Sequence, residues 1–124
     1  MSARTGLPRI LVPMAPLLES EAGNTVLITV ELWPDRVHLR AVTVIDETTG
    51  PLTEDGLTPL PLLSVLDDSG TVYAFCSGSS GGTNTEPISE WVYRPGVPAG
   101  ASSLTVTAPG PVTAGPVVLE VRAV

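Results

Sequence analysis

Residues 25–45 read Thr-Val-Leu-Ile-Thr-Val-Glu-Leu-Trp-Pro-Asp-Arg-Val-His-Leu-Arg-Ala-Val-Thr-Val-Ile. Val26, Ile28, Val30 and Leu32 alternate with Thr25, Thr29 and Glu31, the period-two pattern of a strand with one buried face. Pro34 and Asp35 then suit the two corners of a tight turn, because proline presets φ at the first and aspartate is comfortable at the second. Alternation resumes from Val37. Pairing Trp33 with Arg36 across a two-residue loop places Leu32 opposite Val37, Val30 opposite Leu39, Ile28 opposite Ala41 and Val26 opposite Thr43. On the other face Glu31 meets His38 and Thr29 meets Arg40, so no like charges face each other. In this register Leu27 and Trp33 project outward, and apolar groups there imply a covering partner.

The rest of the chain repeats the theme. Residues 9–14 (Arg-Ile-Leu-Val-Pro-Met) are apolar and interrupted by proline, as an edge strand tolerates. Residues 19–24 form a polar turn cluster. Residues 46–61 are broken by Gly50, Pro51, Gly56, Pro59 and Pro61 and read as loop. A second hairpin is expected from residues 62–66 and 71–76 around Asp67-Asp68-Ser69-Gly70, where Asp caps the turn and Gly accepts positive φ. Residues 77–85 (Ser-Gly-Ser-Ser-Gly-Gly-Thr-Asn-Thr) have little to bury, so 77–88 is expected to be a mobile loop and residues 1–7 a flexible end. Residues 89–94, 103–108 and 117–124 complete the pattern, with Leu104, Val106, Val117, Leu119 and Val121 on the apolar phase.

The 124 residues fit one domain spanning 1–124. Hydrophobic residues make up 43% and aromatics 4%, so the core must be aliphatic, which suits pleated sheets. Thirteen Pro and twelve Gly exclude a helical bundle. The expected fold is therefore all-β, a sandwich of seven or eight antiparallel strands. Cys76 is the only cysteine, so no intrachain disulfide can form. A net charge of −7 argues against nucleic acid and anionic membrane surfaces. No apolar run of about 18 residues predicts membrane insertion, and no secretory signal opens the chain, so a cytoplasmic protein or a component of a particle assembled in the cytoplasm is expected. All six basic residues are arginine, a bias that GC-rich coding produces.

The run from Leu66 to Tyr73, the Trp91 strand and the segment from Arg94 to Leu104 (Arg-Pro-Gly-Val-Pro-Ala-Gly-Ala-Ser-Ser-Leu) resemble a layout of bacterial (actinobacterial or phage) immunoglobulin-like domains. There an acidic-glycine turn is followed by a proline-rich crossing and a last pair of strands. The likeness covers roughly residues 62–124 and consists of turn chemistry, so it implies a fold and an interaction or particle-surface role. It transfers no active site.

Candidate chemistry is sparse. His38 is the only histidine and would be the base of any hydrolytic triad, but no Gly-x-Ser-x-Gly elbow accompanies it, and it reads as a cross-strand partner before it reads as a base. Cys76 reads as a small packed hydrophobe before it reads as a nucleophile. One His and one Cys cannot supply a zinc site. Asp46, Glu47, Glu54, Asp55, Asp67 and Asp68 are loop acids that could gather around calcium, although no spaced Asp-x-Asp-x-Asp-Gly loop exists. Residues 78–82 (Gly-Ser-Ser-Gly-Gly) lack the Lys and helix of a phosphate loop. Trp33, Tyr73, Trp91 and Tyr93 could stack on a sugar. The reading favoured is a non-enzymatic module without cofactor that self-associates or joins a larger protein assembly. Its surface candidates are Leu27, Trp33, His38, Arg40, Trp91 and Tyr93. A carbohydrate- or calcium-binding sandwich is the alternative, and a hydrolase comes last.

Overall fold

The computed structural model describes residues 8–20, 23–45, 63–82, 87–109 and 114–121. It is all-β, as expected, and its strands are antiparallel. They are β1 (Arg9–Leu11), β2 (Ala15–Ser20), β3 (Gly23–Leu32), β4 (Val37–Ile45), β5 (Ser64–Asp67), β6 (Ala74–Gly82), β7 (Pro87–Arg94), β8 (Ser103–Thr107) and β9 (Val117–Glu120). The larger sheet has the order β1-β3-β4-β7-β6, with β2 also on β3, and the smaller sheet the order β5-β8-β9. Both contribute to one core cluster: Leu17, Leu27, Val30, Leu39, Trp91 and Tyr93 from the larger, Val65, Leu104, Val106, Val117 and Leu119 from the smaller.

The β3–β4 hairpin closes as the sequence predicts, with the Trp33 N–H donating to the Arg36 carbonyl at 2.9 Å. Leu32↔Val37, Glu31↔His38, Val30↔Leu39 and Thr29↔Arg40 follow the expected register. Beyond Thr29 they do not. A bulge between Leu27 and Thr29 shifts the pairing to Leu27↔Ala41, Val26↔Val42 and Thr25↔Thr43. One extra residue reverses which side chains face inward. Leu27, expected outside, is fully buried, whereas Val26 and Ile28 are only half-buried. Thr25 turns inward with it and bonds Thr43 Oγ1 at 2.9 Å, which satisfies both hydroxyls beside the core.

The expected edge strand over residues 9–14 is strand only as far as residue 11, and a further strand follows it from residue 15. β1 ends at Leu11, Met14 takes φ 47°, and β2 resumes along the same edge of β3. Pro13 and Pro16 sit where only one side of the strand needs donors. The expected second hairpin is also different. β5 pairs with β8 in the smaller sheet and β6 with β7 in the larger, so Asp67 to Tyr73 is a crossing between sheets. Its local chemistry is as expected, with Gly70 at φ 83° and Asp67 accepting from the turn. Of residues 77–88, expected to be a mobile loop, 77–82 belong to β6 and 87–88 to β7, and 83–86 lie outside the described residues. Residues 1–7 lie outside the described residues, as do 46–62.

The return crossing from β7 passes a cis Arg94–Pro95 bond and places Gly96 against the first hairpin. A Cβ there would lie 2.5 Å from the Pro34 carbonyl oxygen and 2.7 Å from that of Trp33, so only glycine fits. Further ties join the layers: Ala114 N donates to the Leu17 carbonyl at 3.0 Å, and Arg9 Nη1 to the Val121 carbonyl at 2.7 Å.

Candidate functional site

Antiparallel register stacks the outward side chains of the larger sheet into rows. One row runs Thr29, Arg40, Glu90, Ser79 and the next Glu31, His38, Val92, Ser77. Arg40, Glu90, His38 and Glu31 form a continuous network across them. Arg40 donates from Nε and Nη2 to Glu90 Oε1 at 2.9 and 2.7 Å. His38 Nε2 lies 3.3 Å from the same oxygen, and its Nδ1 lies 3.5 Å from Glu31 Oε1. Trp33 Nε1 donates to Glu31 Oε1 at 2.9 Å, and the Arg36 guanidinium lies 4.2 Å over the Trp33 ring. Arg36 also pairs with Asp35 at 3.0 Å. The Arg40 hydrogen bonds, opposed by partial burial and aided by the Arg40 and His38 charges, hold the Glu90 carboxyl below its ordinary value.

Both nitrogens of His38 face carboxylate oxygens, so the ring is engaged by its neighbours. Cys76 is exposed in a bulge of β6, its Sγ near the Ala74 carbonyl, and β7 lies between it and His38. It is therefore not the packed hydrophobe expected of it.

The third row is apolar: Pro16, Val26, Val42, Ile88 and Gly81 lie across five strands. Ile88 and its neighbour Val44 are exposed, and Val26 and Val42 are half-buried. The outer face thus carries a greasy row beside a fixed ionic network.

Of the six surface candidates, Trp33, His38 and Arg40 lie together in this network. Leu27, Trp91 and Tyr93 do not reach the surface: all are in the core, Leu27 through the bulge and the other two because β7 points Ser89, Trp91 and Tyr93 inward. Trp33 is covered by Arg36 of its own turn, which removes the need for a partner there. Glu90 is the member of the network that reading the sequence misses. It meets Arg40 only through β4–β7 pairing, which joins residues 50 apart.

The two described loop acids are engaged by the chain itself. Asp67 Oδ1 accepts from Ser69 N at 2.9 Å, Ser69 Oγ at 3.0 Å and Thr71 N at 3.1 Å, and Oδ2 accepts from the Tyr73 hydroxyl at 2.8 Å. Burial raises the Asp67 pKa, but the bonds from Thr71, Tyr73 and Ser69 outweigh it and hold the carboxyl well below its ordinary range. Burial, and then the bond to Asp67, push the Tyr73 phenol up. Asp68 accepts from Ser102 Oγ, from Ser102 N at 2.8 Å and from Ser103 N at 3.2 Å, which lowers its pKa also. Among the described residues no group of three or more His, Cys, Asp or Glu is placed to hold a metal, and Asp46, Glu47, Glu54 and Asp55 lie outside them.

A cavity of about 380 Å³ opens between Leu63, Val65 and Asp67 on one side and Gly70, Tyr73 and Tyr93 on the other. Its phenols are committed, Tyr73 to Asp67 and Tyr93 to the Leu63 carbonyl at 2.8 Å. Among the described residues no helix is long and apolar enough to cross a membrane. Comparison with protein families, curated proteins and solved structures found no match to this chain.

Proposed function

We propose that the chain is an immunoglobulin-like β-sandwich acting as a non-catalytic protein-interaction module, which associates with its own copies or with a larger protein assembly in the cytoplasm. The observation that carries this reading is the outer face of the larger sheet. Val26, Val42, Val44 and Ile88 gather in and beside one row, next to side chains already fixed by Arg40, Glu90, His38 and Glu31. A surface that is apolar and preordered loses little side-chain freedom when covered. Catalysis finds less support, since His38 is held between two carboxylates. Calcium and sugar find less as well, because the oxygens of Asp67 and Asp68 accept hydrogen bonds within the chain and Trp91 and Tyr93 are buried. Sedimentation velocity over a rising micromolar series is the direct test of self-association. A species larger than one chain is expected, and a strict monomer throughout would remove that half of the reading.

A further inference from the structure

Among the described residues the two sheets have four edges, and three of them are blunted. The β1/β2 edge carries Pro13, Pro16, the kink at Met14, and the charges of Arg9 and Glu19. The smaller sheet ends in β5 and β9, each of four residues. These are the usual means by which proteins prevent edge-to-edge pairing. β6 uses none. It is nine residues long, has no proline and no charged side chain, and among the described residues no strand pairs with its outer edge.

Burial makes β6 stranger still. Ala74, Phe75, Cys76, Ser77, Gly78, Ser79 and Gly81 are all exposed, and beyond the edge-on contact of the Phe75 ring with Tyr93 the strand is held mainly by its ladder to β7. Gly and Ser have low strand propensity and lose much conformational freedom when ordered, which a single ladder offsets poorly. A second ladder on the open edge would supply the missing hydrogen bonds.

We infer that β6 is the edge along which two copies of this chain pair, antiparallel, joining their larger sheets into one. This rests on the self-association half of the proposed function and locates its contact. Charge selects a copy as the occupant. Each chain carries a net charge of −7, so most surfaces of two copies repel, whereas β6 is uncharged and, among the described residues, the acid beside it, Glu90, is neutralised by Arg40. Symmetry favours it too, because a strand paired antiparallel with itself is its own complement about a twofold axis. From Ser77 to Gly82 its residues are all Ser or Gly, small enough to allow close approach along that run.

The test is sedimentation equilibrium of the wild type and of Ser77→Lys/Ser79→Lys, which places like charges on the outer side of the edge without touching the core. The wild type is expected to dimerise and the variant to bind itself at least roughly tenfold more weakly, since like charges across paired strands repel. A wild type that remains monomeric overturns this contact together with self-association. A dimer of unchanged affinity in a folded variant overturns the β6 contact alone and leaves self-association standing. Should the variant lose its circular-dichroism signature, hydrogen exchange on the wild type decides the matter. The β6 amides should exchange more slowly as concentration rises, and exchange independent of concentration overturns the pairing.

Discussion

β3 and β6 belong to the same sheet and are of similar length, yet they are held in opposite ways. β3 has partners on both sides and sends Leu27 and Val30 into the core, whereas β6 has β7 on one side and exposes both faces. Pairing and burial are thus separable. A strand can be ordered by its ladder with almost no apolar contribution, but it then depends on its partners for every gain.

Truncation is the sharpest way to break the contrast. Leu27→Ala on β3 removes a fully buried side chain and should cost about 2–5 kcal/mol in denaturant unfolding. Ser77→Ala on β6, measured where the protein is monomeric, should fall within about ±0.5 kcal/mol. If the two agree within error, burial does not distinguish the strands.

An intermediate effect is expected at the crossing that leads from β5 to β6. Asp67→Ala removes the acceptor of four hydrogen bonds and should cost about 1–2 kcal/mol. Its pH dependence has a definite sign. Asp67, Asp68 and Glu90 have folded-state pKa values below the ordinary 3.8 for Asp and 4.5 for Glu, so their contribution is complete above those values. It is lost as pH falls through the lowered ones. Wild-type stability should therefore decline below about pH 4.5, and Asp67→Ala should decline less steeply. Parallel acid curves would show that the turn does not tie its carboxylate as drawn.

An effect of opposite sign lies beside the bulge of β3. Thr29 Oγ1 is buried and has no hydrogen-bond partner among the described residues. Thr29→Val keeps the shape and removes the unsatisfied group, so stability should be unchanged or rise by up to about 1 kcal/mol. A clear loss would mean that the hydroxyl has a role that these contacts do not reveal.

The same contrast explains what could be read from the sequence. Alternation reports burial, so β4, β7, β8 and β9 were legible, and so was the half of β3 next to its turn. In β3 the run Val26-Leu27-Ile28 is apolar in either phase, and nothing in its composition marks the extra residue of a bulge. β6 carries little burial signal because, apart from the partly covered Phe75, its described residues are Ala, Cys, Ser and Gly left exposed. β2 is hidden because Glu19 and Ser20 read as part of a polar turn, while Pro16 is a residue that only an edge strand accepts. The turn around Asp67 was foreseen by its chemistry, but the partners of the flanking strands are distant in sequence and no local signal names them. For the same reason the Glu31–His38 half of the outer network was visible in the hairpin, and Glu90 was not.

Gly96 has a practical consequence for anyone who cuts or extends this chain. The Pro34–Asp35 tip looks, by its length and exposure, like a harmless place for a tag. Its backbone is instead the bearing on which the link from β7 to β8 rests, with no room even for a methyl group between them. Lengthening the tip would lift that link from its seat, and the strand that follows, β8, is the middle of the smaller sheet.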